Sequence, residues 1–342
     1  MGHISEMGRR HLSHMTGDIL ASAFGDRPFT AVQAFSIHGI TAERLRSAIR
    51  SGALTRLRRG TYVVSSSSCV DDDDHQGSVS PALDRARAAA LAQPGSAVSH
   101  ASAAALHGLP LPHGLGGQAH ITCPGTRPRI SQGVRIHVSP LPPEHLTMLD
   151  GVLVTTLART AVDLARHLAP PRALICVDAA LRRLVEQRSP LRADLRRCVH
   201  DEGLISDAAS VFTGVLDYQA GWPGIRRARA TVALGDPAAE SPLESESRGI
   251  LLLRGVPAPV VGAPVVGANG VTYWADMLWE DRRVVGECDG GMKYSSSEAL
   301  IKEKLRQEEL EQAGLRIVRW MFYDLRNPWR LVDRVNRALG LC

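Results

Sequence analysis

The clearest alternation of apolar and polar positions lies near the N-terminus. Over residues 42–51, Ala42, Leu45, Ala48 and Ile49 fall on one face of a helix, with Glu43, Arg46, Ser47 and Arg50 on the other. Thr41 supplies the N-cap and Gly52 the stop, and Gly39 separates this helix from a shorter one over 30–38. The stretch ALTRLRRGTYVV then alternates around Arg58, Arg59 and Gly60, as two short strands joined by a basic turn would.

Beyond it, SSSSCVDDDDHQGS is a polar low-complexity run that reads as a linker over 65–80. Adjacent aspartates on a solvated loop do not converge on one ion, so no metal site is read there. Residues 81–235 form a mostly helical middle, with helical periodicity at 81–92, 99–107, 156–167, 172–187, 191–201, 208–219 and 223–234. A small strand section falls at 118–123 and 134–139. The pattern changes again over 240–342. A helix opens at Ser241-Pro242-Leu243-Glu244, strands follow at 258–266, 271–279 and 283–289, then a polar helix over 297–313, a strand over 315–321 and a last helix over 325–339. The order α-β-β-β-α-β-α predicts an α/β sheet with flanking helices. The fold class is therefore α+β and multidomain: a winged helix over 18–64, the linker, the helical middle, and the C-terminal α/β domain.

Charge sharpens the picture at both ends. Net charge is +5. Residues 1–64 hold nine arginines and four acids, and the remainder is balanced. The positive field thus belongs to the N-terminal unit, as a nucleic-acid contact requires. There the second helix suits the major groove and the wing the phosphates. Arg46, Ser47 and Arg50 would face bases or backbone, and Arg56, Arg58 and Arg59 would lie on the wing. Near the C-terminus, Lys293, Lys302 and Lys304 are the chain's three lysines, and the other 37 basic residues are arginine. They follow Asp276, Glu287 and Asp289. Six cysteines, at 69, 123, 176, 198, 288 and 342, form no CxxC pair. That pattern points to a reducing cytoplasm. No apolar run long enough to span a bilayer and no signal-peptide core is present, so no membrane role is expected. Met7 and Met15 are alternative starts.

Carboxylates on neighbouring strands have a chemical meaning. Phosphodiester hydrolysis needs charge neutralisation at phosphorus and hydroxide near neutral pH, which a carboxylate-bound divalent metal supplies. Magnesium takes hard oxygen ligands and keeps several waters, so two protein carboxylates suffice. Glu287 and Asp289 share a strand face roughly 7 Å apart, with Asp276 alongside if the strands pair. Lys293 or Lys304 would position the water or stabilise developing charge. Each has a plainer reading: Glu244 completes a capping box with Ser241, Asp289 starts a turn, and the lysines form a solvated helix face.

Two resemblances accompany these readings. SPLESESR, the ADMLW strand, VVGECDG, EALIKEKLRQEEL and GLRIVRW resemble the Vsr-like, restriction-endonuclease-like domain DUF559 of the PD-(D/E)XK superfamily. That resemblance implies Asp276 and Glu287 as ligands of Mg²⁺ or Mn²⁺ and Glu244 as the helical acid. The chain departs from it at Asp289, where the superfamily carries lysine. FTAVQAFSIHGITAERLRSAIRSGALTRLRRGTYVV resembles the N-terminal domain of AbiEi-type antitoxins of type IV toxin–antitoxin systems, and AVSHASAAALHGLPL and VTTLARTAVDLARH resemble their middle. That one implies a transcriptional regulator binding its own promoter; whether a cognate toxin partner exists is not legible. The expectation is a protein binding double-stranded DNA with a metal-dependent endonuclease-like domain; the alternative is a non-enzymatic AbiEi-type regulator with a degenerate nuclease fold. Oligomeric state is not legible.

Overall fold

The computed structural model describes residues 6–65, 81–125, 127–190, 193–289 and 297–341, with side chains from Met15 onward and, in the last stretch, from Ile301. Thirteen α-helices and three sheets are found among them. They fall into two compact units, residues 1–108 with 113–156, and residues 109–112 with 157–342.

The first unit begins with α1 (Glu6–Phe24), a helix the periodicity did not show, then β1 (Phe29–Thr30), α2 (Ala31–His38), α3 (Ala42–Arg50), β2 (Leu54–Arg58) and β3 (Thr61–Val64). Local chemistry sets the boundaries. The Thr30 hydroxyl accepts the Gln33 N–H at 3.1 Å while Gln33 Oε1 accepts the Thr30 N–H at 2.8 Å, a capping box that starts α2. Gly39 ends it at φ 62°, where a side chain would be strained. Thr41 caps α3 by accepting the Arg44 N–H at 3.4 Å. Leu20, Phe29, Ala34, Ile40, Leu45, Ala48 and Leu54 close a small core, and the three strands pair in the order β1-β3-β2. This is the predicted winged helix.

The unit continues with α4 (Pro81–Ala92), β4 (Ala97–Val98), α5 (His100–Leu106), β5 (Ala119–Cys123), β6 (Arg129–Ser131), β7 (Val134–Val138), β8 (Leu146–Leu149) and β9 (Val152–Thr155). The strand section is larger than its sequence suggested: six strands in the order β6-β7-β5-β4-β9-β8. Helix α4 packs on both sheets of the unit. The β8–β9 hairpin turns on Asp150 and Gly151, both at positive φ, the dipeptide such a turn demands.

The second unit holds α6 (Leu157–Ala165), α7 (Pro170–Arg188), α8 (Leu195–Cys198), α9 (Glu202–Tyr218), α10 (Ile225–Val232) and α11 (Pro242–Leu253). Next come β10 (Val260–Val266), β11 (Thr272–Trp279), β12 (Val284–Asp289), α12 (Ser297–Gln312), β13 (Arg316–Met321) and α13 (Pro328–Leu339). The element order from α11 onward is the predicted α-β-β-β-α-β-α. Strands β10, β11 and β12 are antiparallel neighbours, and β13 lies parallel to β12 after the α12 crossover. Met277, Trp279, Val284 and Trp320 meet Leu251, Leu331 and Val335 on one face; Ala263, Leu278 and Val285 meet Leu310 of α12 on the other.

The sequence divides the chain at 235–240, whereas helices α6–α10 belong with the C-terminal sheet in one unit. The reason is the α7–α11 contact. Arg248 Nη2 reaches both oxygens of the buried Asp178 at 2.9 Å, Asp178 also accepts the Asp236 N–H at 2.9 Å, and a side chain at Gly249 would collide with the Pro171 backbone at 2.7 Å. Charge pairing and close backbone approach across 70 residues carry no periodic signal.

Candidate nucleic-acid interface and carboxylate cleft

On the winged helix, Leu45 and Ala48 anchor α3 in the core, which turns Arg46 and Arg50 outward, where both are exposed. Ser47 is half-buried. The wing turns at Gly60, φ 81°, after a bulge between Arg56 and Arg58. Arg56 and Arg59 are exposed. Arg56 Nε donates to the Arg58 carbonyl at 3.2 Å, which stiffens the wing. Arg58 is half-buried and lies near enough to Cys123 of β5 to lower its pKa, although burial of that thiol wins and the net shift is upward. Among the described residues, none of Arg46, Arg50, Arg56, Arg58 and Arg59, five guanidinium groups of one small domain, has a carboxylate partner.

The carboxylates of the second unit are brought close, but each is already engaged. The ladder between β11 and β12 runs from Trp279–Val284 to Met277–Gly286. Beyond it, Asp276 Oδ2 accepts the Cys288 N–H at 2.6 Å, a side chain taking over a backbone position. Burial pushes the Asp276 carboxyl up to about 7, with the negative charge of Glu244 adding to the shift and the Cys288 N–H opposing it. Glu287 is 6% exposed. Its two oxygens are gripped by Arg306 of α12, Nη2 to Oε1 at 2.9 Å and Nη1 to Oε2 at 3.2 Å. Burial nevertheless pushes Glu287 up to about 7, against the pull of Arg306. Glu244 is in part the cap its sequence suggests: its N–H donates to Ser241 Oγ at 3.2 Å, and its Oε2 accepts the Glu240 N–H at 2.8 Å. Burial raises its pKa as well. Asp289 lies 3.5 Å from Arg319, which also pairs with Glu303. A small solvent-open cleft of about 90 Å³ reaches Glu244 and Asp276 and is walled by Arg196, Glu240 and Trp274. Arg196 sits 5.5 Å above the Trp274 ring.

The cations that reach these acids are arginines. Lys304 is exposed, and among the described residues it pairs with none of the carboxylates. Positions 304 and 306 are about 200° apart around a helix, so one faces out when the other faces in. Lys293 lies outside the described residues. Arg306 escapes a search for lysine, but its signal is present. It sits four residues before the buried Leu310, on the inward stripe of a helix that is otherwise polar.

As arranged, Glu287 gives both oxygens to Arg306, and Asp276 and Glu244 each give one oxygen to a backbone N–H, so a divalent ion drawing on Glu287 would have to displace the Arg306 pair.

Comparison with known proteins bears on both regions. Residues 18–65 match the family described as transcriptional regulator, AbiEi antitoxin, and residues 96–205 match the AbiEi antitoxin C-terminal domain. Two Mycobacterium tuberculosis proteins, uncharacterized protein MT2308 of strain CDC 1551 / Oshkosh and uncharacterized protein Rv2248 of strain ATCC 25618 / H37Rv, are each 30% identical over 302 residues, covering 88% of this chain and 97% of theirs. The chain belongs to the AbiEi antitoxin family. The first AbiEi match spans α2, α3 and the wing, the elements that carry the unpaired arginines. The second spans the six-stranded sheet and runs on through α6, α7 and α8. Both matched stretches of this AbiEi-family chain end before its C-terminal sheet, where the Vsr-like resemblance rests on the sequence motifs alone. Among the described residues, no helix is long and apolar enough to cross a membrane.

Proposed function

We propose that this AbiEi-family chain is a DNA-binding transcriptional regulator of the antitoxin kind, which holds duplex DNA with α3 and the wing and acts beside a cognate toxin. The observation that carries the reading is the set of five arginines without an ion-pair partner among the described residues. Among the described residues, some second-unit arginines face a carboxylate (Arg159, Arg248, Arg306 and Arg319) and others, such as Arg326 and Arg330, do not; what sets the five apart is that they share the one small domain that matches the antitoxin regulator family. A surface that keeps its positive charge uncompensated over a rigid core suits an external polyanion. Arg46 and Arg50, one turn apart on the exposed face of α3, are placed to read or flank bases; Arg56 and Arg59 on the wing are placed for phosphates.

The competing reading is a Vsr-like, metal-dependent endonuclease working through Asp276 and Glu287 with Mg²⁺ or Mn²⁺. The element order of the C-terminal sheet and the buried acids favour it. The Arg306 grip on Glu287 opposes it, and so does the engagement of Asp276 and Glu244 by backbone N–H groups. The two readings separate in one experiment. The full chain is incubated with duplex DNA from upstream of its own gene, with and without Mn²⁺, and both retained complex and cut product are measured. The regulator reading expects a salt-sensitive complex, abolished in Arg46→Ala/Arg50→Ala, with the DNA intact. Cutting that disappears in Glu287→Ala would replace it with the nuclease reading.

A further inference from the structure

The segment 321–330, Met-Phe-Tyr-Asp-Leu-Arg-Asn-Pro-Trp-Arg, leaves the C-terminal end of β13 beside Asp289 and runs into α13. The chain has fifteen aromatic residues. Three of them stand in solvent within eight positions: Phe322 at 47%, Tyr323 at 62% and Trp329 at 65% exposure. The segment is not loose. Asp324 Oδ2 accepts the Met321 N–H at 2.9 Å, its Oδ1 accepts from Arg334 Nη2 at 3.0 Å, and Leu331, Val332 and Val335 fix the following helix in the core. Large rings on a rigid backbone, turned away from a core that has room for Trp279 and Trp320, form a prepared surface.

Its charge says what it suits. Asp324 is the segment's one acid and is consumed by Arg334. Arg326, Arg330 and the neighbouring Arg254 are exposed and form no ion pair among the described residues. The Arg254 guanidinium lies 3.9 Å from the Trp329 ring centre, stiffening that ring. We infer that this face binds single-stranded nucleic acid. Unstacked bases lie against the ring of Tyr323 and the face of Trp329 opposite Arg254, and phosphates meet Arg326 and Arg330. A duplex keeps its bases stacked on each other and has no use for the rings. An acidic protein partner would use the arginines, and the test separates it. The inference does not depend on the winged-helix contact, which lies in the other unit and addresses duplex.

The full chain is titrated against fluorescent oligothymidylate, oligouridylate and polyglutamate, and against a duplex, by anisotropy. Quenching of tryptophan emission is followed in parallel. The expected result is salt-sensitive binding of a single strand, weakened about tenfold or more in Tyr323→Ala/Trp329→Ala and in Arg326→Ala/Arg330→Ala, while duplex binding is retained. Preference for oligouridylate over oligothymidylate, or the reverse, identifies the sugar. These side chains are exposed, so an unchanged thermal midpoint shows that the variants fold. No single-strand binding by the full chain, equal binding by the aromatic variant, or capture of polyglutamate in place of the oligonucleotides overturns the inference. Arg46→Ala/Arg50→Ala leaves single-strand binding intact and removes the duplex, so failure of one reading does not mimic failure of the other.

Discussion

Arg306 and Glu287 form a two-point ion pair between α12 and β12, at 2.9 and 3.2 Å, in the place where the sequence led us to expect a metal ion. The guanidinium also donates to the Trp274 carbonyl of β11 at 2.9 Å, so one side chain ties the helix to two strands where their ladder has ended. Removing only Arg306 leaves a buried carboxylate with no direct partner and only the weaker pull of Arg319. Arg306→Ala should therefore destabilise the second unit by about 3–5 kcal/mol, whereas Arg306→Met combined with Glu287→Gln, which removes both charges, should cost far less. Urea unfolding of the wild type beside these two variants measures this. A double variant as unstable as the single one would show that the pair is not the source of the loss.

The same pair predicts a metal response. Millimolar Mn²⁺ or Mg²⁺ should leave the thermal midpoint of the wild type unchanged, because Arg306 already neutralises Glu287 and an ion would have to displace it. A metal-induced rise that vanishes in Glu287→Gln would contradict that expectation.

Asp276 sets a pH dependence. Its carboxyl ordinarily titrates near 3.8 and is pushed up to about 7 in the fold. Between those values the folded protein holds a proton that the unfolded chain has released, so stability falls as pH rises through this window and levels off above about 7. The slope for this group alone is about 1.4 kcal/mol per pH unit at most. Chemical denaturation at pH 5, 6, 7 and 8 should show the second unit losing stability across the series. Glu287, also raised to about 7, adds a loss of the same sign, so Asp276→Asn should reduce the slope by about one proton's share and leave the rest; an unaltered slope would remove Asp276 as a contributor.

Asp178 and Arg248 predict where the second unit is held together. Asp178→Ala strands a buried guanidinium and frees the Asp236 N–H, for a loss of about 3–5 kcal/mol. Protease accessibility should rise at the α7–α11 junction before it rises in the winged helix. Simultaneous opening of both would show the two units unfolding as one.

The sequence was most legible where local chemistry decides. Caps at Thr41 and Ser241 and stops at Gly39 and Gly52 placed the helices of the winged helix and the start of the C-terminal domain. The arginines of α3 and the wing could be read because a one-sided helix declares which residues face out. Legibility failed where partners are distant in sequence. Asp178 meets Arg248 across 70 residues, and nothing in either segment says that the helical middle belongs with the last sheet. The acids singled out in the sequence do lie close together, but the cation beside them was sought as lysine. Geometry selects Arg306, whose planar fork matches Glu287 at two points. The hairpin of β8 and β9 was missed although Asp150-Gly151 is a turn signal, because its strands are only four residues long.

The central claim is that α3 and the wing hold duplex DNA through charge left uncompensated by the fold. The most direct test is the slope of log affinity against log salt for a duplex from upstream of the gene, wild type beside Arg46→Ala, Arg50→Ala, Arg56→Ala and Arg59→Ala. Removing an arginine that meets a phosphate should reduce the slope by about one and weaken binding at every salt concentration. Wild-type slopes retained in all four variants would place the DNA elsewhere on the protein and contradict the account.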